Sequence, residues 1–189
     1  MPRLPLLSIE EARRRGEEAG IPPNLSRLNA FRVLLHNPTA AGPLAKLLMT
    51  LLLQGSLDHR TRELVILRIG WRRASEYEFC QHVAVARQLG MKDEDILGVR
   101  DPERCASYGE TDRAVLRMTD ELLDRSRVSD ETWKILERAF DEAQLIELLL
   151  AAGNWTLFAG FLRSAGVPLD PEVESWPEGR TPPDPPDHP

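Results

Sequence analysis

The chain has 189 residues and a formal net charge of −6, with 42% hydrophobic and 29% charged residues. This length is sufficient for one domain with a buried core, and the acidic balance argues against a nucleic-acid partner, which usually needs a basic face. The two cysteines, Cys80 and Cys105, form neither a C-x-x-C motif nor a secreted disulfide framework, so we expect a reduced, cytoplasmic protein.

Helix signals dominate the chain from its N-terminus, and period-2 strand patterns are nearly absent. Ser8, with Glu11 three residues later, predicts the capping box of a first helix that ends at Gly20. Asn24 is expected to cap a second helix that runs to about Leu35. The helices expected after these are "PLAKLLMTLLLQG", "HRTRELVILRIGWRRA" capped by Asp58, residues 75–90, the short "KDEDILGV", and about 110–125, 129–140 and 141–164. The pattern predicts an all-α bundle of about seven or eight helices.

One stretch, residues 145–162, is apolar almost throughout and is nearly long enough to cross a bilayer. Because it carries Glu147 and Asn154 and lacks basic flanks, we interpret it as a buried central helix and expect no membrane partner. The composition changes at residue 168, since eight of the 15 prolines fall within residues 168–189. We therefore predict a single helical domain over 1–167 and a Pro-rich, extended or disordered tail over 168–189.

The segment "SEYEFCQH" concentrates ionisable side chains in the first two turns of a helix. Helical spacing puts four of its side chains on one face, which continues as an apolar stripe: Ser75, Glu78, Phe79 and His82. On the preceding helix, Glu63 lies in a column that is otherwise apolar. Since a buried carboxylate is unfavourable without a partner, a contact between Glu63 and His82 is predicted.

Two interpretations of this contact are open. In the structural one, Ser75 and Glu78 form a capping box, and His82 is a packed core histidine or half of a structural ion pair with Glu63. In the functional one, a carboxylate and an imidazole in an apolar pocket form an acid–base device.

Residues 62–91, "RELVILRIGWRRASEYEFCQHVAVARQLGM", resemble the core motif of the carboxymuconolactone decarboxylase family, which includes the alkylhydroperoxidase D-like (AhpD-like) proteins. Residues 130–169, "DETWKILERAFDEAQLIELLLAAGNWTLFAGFLRSAGVPL", are similar to the second half of the longer members. Together these cover most of residues 30–170, with a family core at about 30–167. The resemblance implies an all-α bundle that assembles into trimers or hexamers, so we expect a homo-oligomer, a dimer being possible.

The peroxidase branch of this family has the motif C-x-x-C-x-x-x-H on the corresponding helix. When its histidine is matched to His82, Ser75 and Glu78 occupy the two cysteine positions, where they cannot form a redox disulfide. Cys80 lies two residues past the second position and is expected to be a packed side chain. An alkylhydroperoxidase-type peroxidase is therefore the less favoured alternative.

The decarboxylase-like branch has a pattern close to E-x-x-W-x-x-H, of which Glu76 and His82 are kept while Phe79 stands at the tryptophan position. The resemblance implies a cofactor-independent lyase or isomerase that acts on a small carboxylated or lactone-type ring compound. In this interpretation His82 donates or shuttles the proton, Glu63 orients it, and Glu78 is the second acid–base group.

Four further residues are expected to bind the substrate: Ser75 and Tyr77 as hydrogen-bond donors, Phe79 as an aromatic wall, and Arg60 as a cation for an anionic group. We expect no cofactor and no metal, although two carboxylates and an imidazole would suit several divalent ions. The alternative from a different functional class is a helical oligomer of the same family that binds a ligand without turnover.

Overall fold

A computed structural model describes residues 2–181, and every regular element within that range is helical. The α-helices are α1 (Ile9–Glu18), α2 (Pro23–Ser26), α3 (Asn29–Leu34), α4 (Pro38–Leu53), α5 (His59–Arg72), α6 (Glu76–Gln88), α7 (Asp93–Gly98), α8 (Glu110–Arg125), α9 (Asp130–Ala139) and α10 (Glu142–Ala165), followed by a short 3₁₀ helix, Pro177–Gly179. The all-α fold class is confirmed. Seven of these α-helices have ten or more residues, and the short α2, α3 and α7 bring the number in the described range to ten.

Helix starts that depend on local sequence are found where they were predicted. The side chains of Ser8, Asp58 and Ser129 each accept a hydrogen bond from a backbone N–H three residues later. Ser75 occupies the N-cap position of α6, but its hydroxyl makes no capping bond, so the capping box expected there is not formed.

The predicted second helix is divided in two, and Asn24 does not cap it. Helix α2 begins at Pro23, whose fixed φ suits the first turn, and α3 begins after Leu28, which has an extended backbone. The backbone N–H of Asn29 donates to Asp170 Oδ1 at 2.8 Å. The start of α3 is therefore stabilised by a carboxylate 141 residues later in the chain.

Helix α5 is the centre of the bundle, since residues 61–70 are all buried and α5 packs against α6, α8 and α10. A helix that is buried on all sides belongs to a core. Helix α10 has the length and hydropathy of a membrane span, but half of its apolar window is buried inside the bundle. This burial agrees with the central helix predicted from the sequence.

Residues 168–181, the described part of the Pro-rich segment, form an arm of turns and one short 3₁₀ helix that lies against the bundle. Asp170 accepts a hydrogen bond from the Tyr77 hydroxyl at 2.5 Å, and the ring centroid of Trp176 is 5.3 Å from that of Phe79. The arm thus contacts the helix that carries His82. The domain boundary at 167 stays a prediction, and residues 182–189 of the predicted tail lie outside the described residues.

Candidate acid–base site

The site is built where α5 and α6 approach each other closely. A Cβ atom at Gly70 would lie 2.9 Å from the backbone nitrogen of Phe79, so only glycine permits this separation. The turn between the two helices passes through Ala74, whose φ of 49° is left-handed. The result is that Glu63, two turns before Gly70, lies next to His82.

The predicted contact between Glu63 and His82 is present. Glu63 Oε2 is 2.7 Å from His82 Nδ1, and the two side chains are 0% and 14% exposed. On its other side the ring meets Trp155, whose indole N–H donates to His82 Nε2 at 3.4 Å. An indole N–H can only donate, so Nε2 holds the lone pair and Nδ1 carries the proton that Glu63 accepts.

A cavity of about 150 Å³, the α6 cavity, is lined by His82, with Glu63 behind the imidazole ring. It lies between helices α2, α3, α4, α6 and α10, and most of its wall is apolar. The lining residues are Leu25, Leu28, Ala30, Phe31, Leu48, Met49, Leu52, Tyr77, Glu78, Gln81, His82, Val85, Trp155, Phe158 and Leu162. Nearly all of its polar groups are therefore supplied by one helix, α6.

Glu78 is a carboxyl group without a partner in this cavity. It is 2% exposed, and neither of its oxygens makes a hydrogen bond within the described residues. Burial raises the pKa of Glu78 well above its usual range, because the charged form has lost its solvent. Burial therefore favours the protonated form of Glu78, whose O–H can donate into the cavity.

The raised pKa predicts how Glu78→Gln changes stability with pH. The folded protein keeps a proton on Glu78 that the unfolded chain releases above its ordinary pKa of 4.5, so native stability falls as pH rises towards the folded-state pKa. The glutamine variant has no such proton. We expect the melting temperature of the variant minus that of the native protein to increase as the pH rises above 4.5, the native slope reaching at most about 1.4 kcal/mol per pH unit. Thermal denaturation at several pH values measures this difference, and a difference that does not change with pH would show that the pKa of Glu78 is not raised in the folded protein.

Tyr77 lines the cavity with its ring, but its hydroxyl is already used. It donates to Asp170 and accepts the backbone N–H of Ala30 at 3.3 Å. Burial, reinforced by the Asp170 carboxylate, raises the pKa of Tyr77. Tyr77 therefore holds the arm in place, whereas the sequence suggested a donor to the substrate. Ser75, the other expected donor, is buried, its hydroxyl has no partner among residues 2–181, and it is not among the residues that line the cavity.

The structure does not bring Phe79 or Arg60 to the cavity. Phe79 packs on the other side of α6, with its ring centroid 5.7 Å from that of Trp71. Arg60 is paired with Asp112 at 2.5 Å and Asp95 at 3.1 Å, so its charge is neutralised away from the site. The structure therefore does not support Phe79 as an aromatic wall of this cavity, or Arg60 as a cation for a substrate bound in it.

Two of the residues that supply polar groups to the cavity were not identified from the sequence, Gln81 and Trp155. The cavity side of α6 is the stripe Glu78, Gln81, His82 and Val85, which has the i, i+3, i+4, i+7 spacing of one helix face. The face inferred from the sequence was rotated slightly around the axis of α6 from the face that lines the cavity. It therefore included Phe79 and omitted Gln81. Trp155 gave no signal, because an indole within an apolar helix is typical of a core residue.

Both cysteines are free and buried. Cys80 packs with Phe79 in a small apolar cluster on the side of α6 away from the cavity, and burial raises the pKa of its thiol to about 12. At neutral pH the reactive thiolate is therefore nearly absent. Within residues 2–181 there is also no group of three or more His, Cys, Asp or Glu side chains placed to hold a metal ion.

We expect a variant with alanine at both Cys80 and Cys105 to keep the full catalytic activity of the native protein, because neither thiol reaches the α6 cavity. Reduction of an organic hydroperoxide with a dithiol donor should be absent from both proteins. A coupled peroxidase assay checks this, and robust peroxide turnover that is lost on alkylation would contradict the site described above.

Comparisons with known proteins agree with this architecture. Residues 38–121, from α4 into α8, match the model of the carboxymuconolactone decarboxylase family. An uncharacterized protein, YdfG of Bacillus subtilis (strain 168), is 26% identical over 99 residues, which are 51% of this chain and 67% of YdfG.

Three solved structures share the fold. A peroxidase-related protein from Ralstonia eutropha JMP134 with an alkylhydroperoxidase AhpD core has a TM-score of 0.75 at 18% identity, over 90% of this chain and 93% of its own. A peroxidase-related protein from Silicibacter sp. TM1040 has a TM-score of 0.71 at 15% identity, over 90% of each chain. A protein of unknown function from Agrobacterium tumefaciens has a TM-score of 0.68 at 19% identity, over 72% of this chain and 94% of its own. At these identities the likeness shows the fold alone.

Proposed function

We propose that this protein is a cofactor-independent lyase or isomerase that acts on a small carboxylated or lactone-type ring compound. The match of residues 38–121 to the carboxymuconolactone decarboxylase family model and the AhpD-like fold support this proposal. The observation that carries the proposal is the 2.7 Å contact between Glu63 and His82 at the wall of an apolar cavity. A buried carboxylate–imidazole pair beside a neutral carboxyl group is the arrangement that proton transfer requires.

His82 acts as the base. Its Nε2 lone pair removes a proton from a carbon next to the substrate carbonyl, and Glu63 stabilises the imidazolium that forms. The hydrogen bond from the Trp155 N–H to Nε2 is long, at 3.4 Å, and therefore weak. A substrate C–H can take the place of the indole N–H at this lone pair at little energetic cost.

Glu78 acts as the acid that stabilises negative charge on the carbonyl oxygen of the substrate. As the proton leaves the carbon, negative charge develops on that oxygen, and the Glu78 O–H donates to it in surroundings that water does not screen. The imidazolium of His82 then returns the proton to a different carbon, which isomerises the compound. In the decarboxylating variant, loss of CO₂ generates the carbanion, and a protonated His82 supplies its proton.

Isotope exchange tests this function across a range of candidate substrates. Native protein is incubated in D₂O with a panel of five- and six-membered lactones and cyclic enones, each with and without a carboxyl group, and the products are followed by NMR. We expect deuterium to enter the carbon next to the carbonyl, or an isomerised or decarboxylated product to appear, faster than in buffer alone. Saturable binding of panel members with no exchange or conversion of any would refute the enzyme and favour the ligand-binding protein without turnover.

We also propose that the protein works as a cytoplasmic homo-oligomer, a trimer or hexamer before a dimer. Three large apolar side chains on one face of α10 are exposed in the protomer, Ile146 at 57%, Leu150 at 48% and Leu157 at 58%. The glycines Gly153 and Gly160 lie on the same face and leave open space around them. The neighbouring small residues Ala151 and Ala152 are buried inside the protomer and do not contribute to this face.

We call this surface the α10 face and propose it as the subunit interface, so a charged side chain placed on it should disrupt the oligomer. Leu157→Lys should dissociate the oligomer into folded monomers, because burying a lysine in an apolar interface is unfavourable. Leu89→Lys, at an exposed leucine that ends α6, is the matched control and should leave the assembly unchanged. Light scattering coupled to gel filtration measures both, and a native protein that is monomeric at micromolar concentration would refute the assembly.

A further inference from the structure

Two side chains of the α6 cavity hold buried polar atoms that have no hydrogen-bond partner within the described residues. These atoms are both carboxyl oxygens of Glu78 and the Oε1 oxygen of Gln81. Buried polar groups are hydrogen-bonded in nearly all folded proteins, so an unpaired one requires an explanation. Because Glu78 and Gln81 are one helical turn apart and line the same cavity, the three oxygens without a hydrogen-bond partner lie on the same part of its wall.

The chemistry of these atoms defines what they can bind. A neutral Glu78 offers one O–H donor and one carbonyl acceptor, and Gln81 adds a second acceptor oxygen. Neither Lys nor Arg is among the residues found to line the cavity. The imidazole of His82 lines the cavity, but it is already paired with the Glu63 carboxylate, so an anion placed there would compete with Glu63 for the same group. Burying a charge that lacks its own partner is strongly unfavourable.

The size of the cavity limits the rest of the molecule. Its volume is about 150 Å³. An apolar cavity of about this volume in another protein binds benzene, so the body of the ligand corresponds to about one six-membered ring. The leucine and phenylalanine side chains around it suit an apolar ring.

We propose, building on the proposed function, that Glu78 and Gln81 select a small neutral molecule whose polar edge carries a donor beside an acceptor. A primary amide, an un-ionised carboxyl group and an enolised carbonyl all have this edge. This narrows the expected carboxylated or lactone-type class to its neutral members, so it favours the isomerising reaction over the decarboxylating variant, which needs a carboxylate anion. It also makes Gln81 a specificity residue of the site.

A matched pair of probes tests the selection. Benzamide and benzoate have nearly the same shape, but benzamide is neutral with a donor–acceptor edge, whereas benzoate is an anion at pH 7. By calorimetry at that pH, native protein is expected to bind benzamide at least about 10-fold more tightly than benzoate, because the anion leaves the buried groups mispaired. Glu78→Gln keeps a neutral donor and acceptor and should bind benzamide within a few fold of the native affinity, whereas Glu78→Leu should weaken it about 10-fold or more.

Glu94→Gln, a change at an exposed carboxylate on α7, is the control and should leave benzamide binding unchanged. Equal or tighter binding of benzoate, no saturable binding of benzamide, or full affinity in Glu78→Leu would each overturn the inference. Binding does not require turnover, so the two proposals fail separately. Selective benzamide binding without isotope exchange would support the ligand selection and refute the enzymatic function. Isotope exchange without selective binding would support the enzymatic function and refute the ligand selection.

Discussion

Replacing His82 with glutamine is expected to lower turnover at least about 100-fold, the usual scale for a general acid or base, while the protein folds with near-native thermal stability. Stability is kept because the glutamine amide can donate to Glu63 and its carbonyl can accept from Trp155, so no buried charge is left without a partner. Turnover is lost because an amide cannot accept and return a proton near neutral pH.

Steady-state kinetics and thermal denaturation of the same preparations separate the two effects. Glu63→Gln should lower turnover in the same direction, since an amide does not stabilise an imidazolium as a carboxylate does. A loss of activity that follows the fraction of unfolded protein would support the packed core histidine. A native pH profile in His82→Gln would remove His82 from the mechanism.

Gly70→Ala is expected to destabilise the protein by about 1–3 kcal/mol, the usual range for an added methyl group in a packed core. The new Cβ would lie within 2.9–3.1 Å of the backbone nitrogen, Cα and Cβ of Phe79, so α5 and α6 must move apart. For a chain of this length, each kcal/mol lowers the melting temperature by about 2–4 °C. Turnover should fall as well, because the same movement separates Glu63 from His82.

The control for this prediction is Gly109→Ala. At the start of α8, Gly109 has a φ of −80°, and an added Cβ would meet only Asp112 Oδ2, at 3.9 Å. Its replacement should cost at most about 1 kcal/mol, the difference between a good and a poor N-cap residue. Equal melting temperatures for the native protein and Gly70→Ala would show that the approach of α5 to α6 is not constrained.

Features determined by neighbouring residues were predictable from the sequence. The all-α class follows from period-3.6 apolar patterns, and the caps at Ser8, Asp58 and Ser129 each bond an N–H three residues away. The contact between Glu63 and His82 was predictable for another reason. One inward carboxylate needs a partner, and the next helix offered an inward imidazole.

Features determined by distant residues were not predictable. The break before α3 depends on Asp170, which reaches the chain only after the arm has folded onto the bundle. Arg60 was assigned to the substrate because Asp95 and Asp112, its partners, are 35 and 52 residues away in sequence. Trp155 meets His82 from 73 residues away, so no local pattern marks it as a hydrogen-bond donor.

The central claim is that Glu63 and His82 act as one unit, and a double-mutant cycle measures this most directly. Turnover is determined for the native protein, Glu63→Gln, His82→Gln and the double variant, using the panel compound that exchanges fastest. We expect the double variant to be little slower than the slower single variant, since residues that act together lose their joint contribution once. Losses that multiply in the double variant would show that the two residues act independently and would contradict the claim.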